Sequence, residues 1–201
     1  SDRAVEVIMS DPYSGNTVLL LHMEGSNGSA AFVDSSSTHR VITANGTAQI
    51  STAQSKWGQG SGYFDGSGYL SLNSLSGFGF GINDYTIEIW ILTSTANKVI
   101  LDTRRFCASG FGSFFINSSG YASYWDGSVV RSGTINCTSG AWTHIAWCRS
   151  NSVLMIFVNG VLDCSYSNTD NFGTSRTLLV GKDIGTTSAN FVGYLQDLRI
   201  T

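Results

Sequence analysis

Fourteen carboxylates are spread over the 201 residues, and no two of them lie two residues apart. A retaining glycosidase holds its two carboxyl groups about 5 Å apart. On a single strand that requires neighbours at i and i+2, which share a face at about 6.5–7 Å. The nearest pairs here, Asp2/Glu6 and Asp84/Glu88, are four residues apart, or about 13 Å along a strand. Glu88 is followed two positions later by Trp90, where a second acid would have to stand. Histidine is limited to His22, His39 and His144. The first and last sit inside apolar strands and read as packed, while His39 belongs to a Ser-rich, solvated loop. No Gly-x-Ser-x-Gly elbow joins a strand to a helix. The chain is read as non-enzymatic, and a carboxylate pair formed across strands is the one glycosidase arrangement left open.

Binding chemistry has more support. Sugars are held by aromatic faces flanked by hydrogen-bonding groups, and Tyr121, Tyr124, Trp125 and Asp126 form the densest such group. Alternation along a strand puts Tyr121 and Trp125 on one face and Tyr124 and Asp126 on the other. Arg104-Arg105 is the only doubled basic site, suited to an acidic sugar or a partner carboxylate. Arg104, Arg105, Tyr121, Tyr124, Trp125 and Asp126 are therefore the candidate ligand residues. Trp57, Trp90, Trp142 and Trp147 read as core.

These residues need elements to position them, and the composition narrows which. Charged residues make up 12% of the chain, about half the usual share; polarity comes instead from 30 Ser and 23 Gly. A net charge of −3 argues against a nucleic-acid partner or a polybasic membrane surface. No apolar run approaches the ~18 residues of a membrane span, so no membrane insertion is expected. The hydrophobic period is 2 almost everywhere. Tyr85 to Ile91 alternates cleanly, Val153 to Val158 is apolar on both faces, and Asn159-Gly160 after it is a hairpin signal. Further short strands are expected at 17–23, 30–34, 41–44, 62–64, 69–73, 98–102, 113–117, 121–125, 128–132, 143–149, 177–180 and 191–200. That spacing predicts an all-β, two-sheet antiparallel sandwich. Residues 1–14 form an N-terminal arm or connector, and 15–201 one domain. Cys148 and Cys164 fall on strands two spacings apart, too far for a bridge, so free thiols are expected.

Five segments resemble a known family in order along the chain. They are Val18-Leu-Leu-Leu-His-Met-Glu-Gly25, Lys56-Trp-Gly-Gln-Gly-Ser-Gly-Tyr-Phe-Asp-Gly66 with Tyr69-Leu70, and Tyr85-Thr-Ile-Glu-Ile-Trp90. Trp142-Thr-His-Ile-Ala146 with Ile156-Phe-Val-Asn-Gly160 and Phe191-Val-Gly-Tyr-Leu-Gln-Asp-Leu-Arg-Ile200 complete the set. Together they resemble laminin-G-like domains of the concanavalin A-like lectin and glucanase jelly roll. The resemblance implies two curved antiparallel sheets, a carbohydrate or protein ligand, and often a calcium ion. It also brings the first and last strands together, so Glu24, Asp34 and Asp197 become the candidate metal ligands for a structural Ca2+. The opening segment looks most like versions in bacteriophage virion proteins. That implies a virion-surface or extracellular setting, with a host-surface receptor or carbohydrate as ligand. A virion decoration role, docking on capsid or fibre neighbours, is the alternative, and a homo-oligomer is compatible with either.

Overall fold

The structure is a computed structural model and describes residues 14–72, 78–104, 112–173 and 176–201. The arm through residue 13 and Arg105 thus lie outside the described residues. Fifteen strands are present among the described residues. In chain order the first eight are β1 (Leu19–Leu21), β2 (Thr43–Asn45), β3 (Gln49–Ser51), β4 (Ser61–Asp65), β5 (Tyr69–Leu72), β6 (Tyr85–Leu92), β7 (Lys98–Asp102) and β8 (Ser113–Ile116). The others are β9 (Tyr121–Trp125), β10 (Val130–Asn136), β11 (Thr143–Ser150), β12 (Val153–Val158), β13 (Val161–Ser167), β14 (Leu178–Val180) and β15 (Val192–Ile200).

They form two antiparallel sheets. The first runs β13-β12-β11-β6-β15-β4-β3, with β1 also pairing β15; the second runs β10-β9-β8-β7-β14-β5-β2. The alternation read in the sequence decides what lies between them. On β6, Tyr85, Ile87, Ile89 and Ile91 are buried in the core, while Thr86, Glu88 and Trp90 occupy the opposite face. The same rule on β8 and β9 sends Phe114, Ile116, Ala122 and Tyr124 inward and leaves Ser113, Phe115, Tyr121 and Trp125 on the outer face of the second sheet. Trp147 is fully buried, as expected. Asn159 and Gly160 both take positive φ, 50° and 79°, the backbone of the expected tight hairpin between β12 and β13.

The expected strand at 30–34 does not form; a single bridge, Leu21 to Asp34, stands in its place. The reason is the Asp34 side chain, which is buried and accepts the amides of Leu20, Ser36 and Arg40 and the hydroxyl of Ser36. These bonds fold the chain into a loop, and the donors they use are no longer free for a ladder. They also hold the carboxyl below its ordinary value, although burial pushes the other way. Strand β3, which sequence reading did not anticipate, follows this loop. It presents only one core residue, Ile50, too short a pattern to register as period 2.

Two devices fix the ends of the sandwich. At one side the edge strands β10 and β13 meet, and Asp163 on β13 accepts the Thr134 and Ile135 amides of β10. That pairing occupies donors an edge strand would otherwise leave open to another chain. Near the end of β11, Arg149 is only 2% exposed and donates to the carbonyls of Gly81, Asn83 and Asp170 and to Asn168. Its guanidinium lies against the Tyr85 and Phe172 rings, so one cation ties two loops to the core. Cys137, Cys148 and Cys164 are free thiols.

Candidate functional site

The outer face of the second sheet carries a cavity of about 170 Å³. β7, β8 and β9 form its floor. Val99 of β7 stands opposite Phe115 of β8, and Ser113 of β8 opposite Trp125 of β9, so all four line the same hollow. The segment between β14 and β15 closes one side with Asp183 and Ala189; Asn97 and Lys98 close another. That segment is pinned to the sheet. Val99 donates its amide to the Ala189 carbonyl at 2.7 Å, Lys98 Nζ donates to the Ser188 carbonyl at 2.9 Å, and the Ile184 amide reaches Asp102 Oδ2 at 2.9 Å.

Arg104 forms one wall. It is 7% exposed and Asp102 1%. Its Nε donates to Asp102 Oδ1 at 3.0 Å and its Nη2 to Asp102 Oδ2 at 2.6 Å; Nη2 also pairs with Asp183. Burial disfavours the charge, yet the two carboxylates outweigh it and hold the guanidinium more firmly protonated than usual. Such a fork is rigid and fixes polar groups at the rim of the cavity. Beside it, Trp125 is half-buried with its indole N–H enclosed and without a hydrogen-bond acceptor. Leaving a buried donor unpaired costs about 1–3 kcal/mol. A cavity wall holding two aromatic rings, a lysine and an arginine–carboxylate fork suits a small polyhydroxylated ring. The rings cover its C–H faces, and its hydroxyls accept from and donate to the polar groups.

The expected ligand residues do not all meet here. Arg104 and Trp125 line the cavity together. Tyr121 shares their face but stands four residues along β9, about 13 Å away. Tyr124 is a correction: it is fully buried, packs on Phe114 with centroids 5.2 Å apart, and donates its hydroxyl to Asp170 at 2.7 Å. Since Tyr121 and Trp125 face outward, period 2 requires Tyr124 to face the core. Asp126 is a turn residue rather than a ligand residue. It accepts the amides of Ser128 and Val129 and Arg131 Nε. Burial alone would raise its carboxyl, but these bonds pull it down to about 2. Sequence reading missed Asn97, Lys98, Phe115 and Asp183. Only Phe115 had a local signal, an aromatic alternating with Phe114 and Ile116.

The three carboxylates expected to share calcium do not fit one ion. Calcium takes six to eight oxygen ligands, and both Asp34 oxygens are already committed to protein donors. Asp197 Oδ1 instead lies 2.8 Å from His22 Nδ1. The hydrogen bond to Asp197 raises the His22 imidazole above its ordinary value against the effect of burial, which favours a positive charge where a cation would have to sit. Among the described residues no group of three His, Cys, Asp or Glu is placed to hold a metal ion. No helix of the described chain is long and apolar enough to cross a membrane.

The architecture is shared with solved structures of distant sequence. Domain 4 of AbnA, a GH43 extracellular arabinanase from Geobacillus stearothermophilus, solved with arabinotriose, superposes with a TM-score of 0.67 at 18% identity. The match covers 92% of this chain and 91% of that one. The binding domain of botulinum neurotoxin serotype D/C gives 0.67 at 13% identity, covering 93% of this chain and 49% of the toxin domain. A second structure of the botulinum neurotoxin DC binding domain, with rat synaptotagmin II, gives 0.67 at 14% identity, covering 93% and 48%. This chain thus spans about half the length of the toxin binding domains, and at such identities the likeness is one of fold. No curated protein matches the sequence. Residues 64–201 match the laminin G family described as the concanavalin A-like lectin/glucanases superfamily, and the chain belongs to that family.

Proposed function

We propose that the protein is a non-catalytic carbohydrate-binding module whose ligand ring enters the cavity on the outer face of the second sheet. The observation that carries this reading is the meeting of the Phe115 and Trp125 rings with the Arg104–Asp183 fork around one cavity. The two carboxylates near the cavity, Asp102 and Asp183, both bond the Arg104 guanidinium between them, and Asp102 is sealed from solvent. They form an ion network, not the acid and nucleophile of a glycosidase, which must both face the sugar. The arabinanase domain with arabinotriose supports a sugar as ligand. A virion-surface setting rests on the resemblance of the opening strand, and host glycans are then the natural targets. The test is a glycan array probed with the intact chain and with Trp125→Ala, which removes the ring from the cavity wall. Glycans bound by the wild type and lost or weakened at least tenfold in the variant support the reading. No bound glycan, or equal binding by both, overturns it.

A further inference from the structure

The outer face of the first sheet bears a different hollow. Two adjoining depressions of about 630 and 470 Å³ share Glu88 and Arg199, and together they run along β6 from Asp84 to Trp90. Six residues of strand make this groove about 20 Å long. A bulge in β15 builds it. Gln196 pairs with Trp90 and Arg199 with Glu88, so three steps on β15 match two on β6. Asp197 is the extra residue and takes φ 50°. Without the bulge, Gln196 and Asp197 would face opposite sides; with it, both side chains lie on the outer face. Gln196 then reaches over the sheet, accepting the Lys56 amide at 2.7 Å and donating to the Trp57 carbonyl at 2.8 Å. This latch lays the segment around Lys56 and Trp57 against Trp90.

The result is an aromatic corner that was expected to be core. Trp57 is 49% exposed and meets Trp90 edge-on at 5.4 Å, His144 lies 5.2 Å from the Trp90 ring, and the Lys56 ammonium sits 4.3 Å from it. Most charges in the groove are already engaged: Glu88 with His144 at 3.4 Å and Arg199 at 3.9 Å, Asp197 with His22 at 2.8 Å, and Asp84 with the Asn151 amide at 3.0 Å. A groove of paired charges has little pull on an ion, but it presents many planar donors and acceptors beside a half-open indole.

We propose that this groove is a second binding site, one that takes a neutral linear oligosaccharide lying along β6. The inference rests on the carbohydrate-binding reading but not on the Trp125 cavity. The 170 Å³ cavity has room for one ring; a groove about 20 Å long has room for a chain. The five tryptophans give five indole N–H resonances in the 15N-labelled intact protein. Titration with neutral linear hexaoses (arabino-, xylo-, cello- and malto-) is expected to shift the Trp57 and Trp90 resonances with at least one probe. Trp57→Ala, at an exposed position, is expected to weaken that probe tenfold or more. If array-positive glycans and the hexaoses shift Trp125 alone, the groove proposal is overturned and the cavity reading stands. If they shift neither face, both fail. If Trp57→Ala leaves the affinity of a groove-shifting probe unchanged, the aromatic corner is not the platform and the proposal is overturned.

Discussion

Asp102→Asn tests whether the wall of the Trp125 cavity is held by a buried ion network. Asp102 is 1% exposed and accepts from four donors, the Arg104 amide, Nε and Nη2 and the Ile184 amide, with Nε shared between both oxygens. An asparagine there removes the charge and turns one acceptor oxygen into a donor facing other donors. Breaking one partner of a buried pair costs about 3–5 kcal/mol. Asp183 still pairs with Arg104, so the low end, about 3 kcal/mol, is expected. For a domain of this size each kcal/mol lowers Tm by about 2–4 °C, giving a fall of about 6–12 °C. Urea unfolding followed by far-UV circular dichroism and tryptophan fluorescence measures it directly. Arg104→Met combined with Asp102→Leu removes both charges and is expected to cost less than the sum of the single changes, because neither ion is then left buried alone. A loss below about 1 kcal/mol for Asp102→Asn, or additive single and double variants, would refute the network.

Other consequences follow from the same bonds. Gln196→Leu removes the side chain that accepts the Lys56 amide and donates to the Trp57 carbonyl; it is expected to cost about 2–4 kcal/mol and to make Trp57 fluorescence more accessible to iodide quenching. Arg149→Lys keeps the charge but loses the fork that reaches Asn83, Gly81, Asn168 and Asp170, so a loss of about 2–4 kcal/mol is expected by urea titration. His22 is raised above 6.5 by its hydrogen bond to Asp197, against burial, with Asp197 and Glu24 charges adding to the rise. Its contribution to stability is full below pH 6.5 and fades as pH climbs through the raised value; NMR titration is expected to show the elevated midpoint in wild type and its return towards 6.5 in Asp197→Asn. Asp34→Asn destabilises by breaking a loop, not by losing a metal, so its effect on Tm is expected to be the same in calcium and in chelator.

Much of the fold is written in period 2. Core and outer faces of β6, β8 and β9 follow from alternation, and the Asn159-Gly160 turn follows from two residues that tolerate positive φ. The Trp125 cavity was partly legible for the same reason: a face with Tyr121 and Trp125 outward commits Tyr124 to the core. Its remaining walls were not. Asp183 reaches Arg104 across 79 residues and Ile184 reaches Asp102 across 82, and no local pattern encodes such contacts. Trp57 was misplaced because an indole usually seeks the core, whereas Gln196, 139 positions away, holds this one on the surface. Asp34 and Asp197 attracted a metal reading as carboxylates near joined strands; the structure shows one spent on loop amides and the other on His22.

The most direct test of the central claim is isothermal titration of the best array glycan into the wild-type chain and into Trp125→Ala. A tenfold or greater weakening of Kd, equal to about 1.4 kcal/mol, with the fold retained by circular dichroism is the outcome this account predicts. Equal Kd for the two proteins would contradict it, because the Trp125 ring would then have no part in holding the sugar.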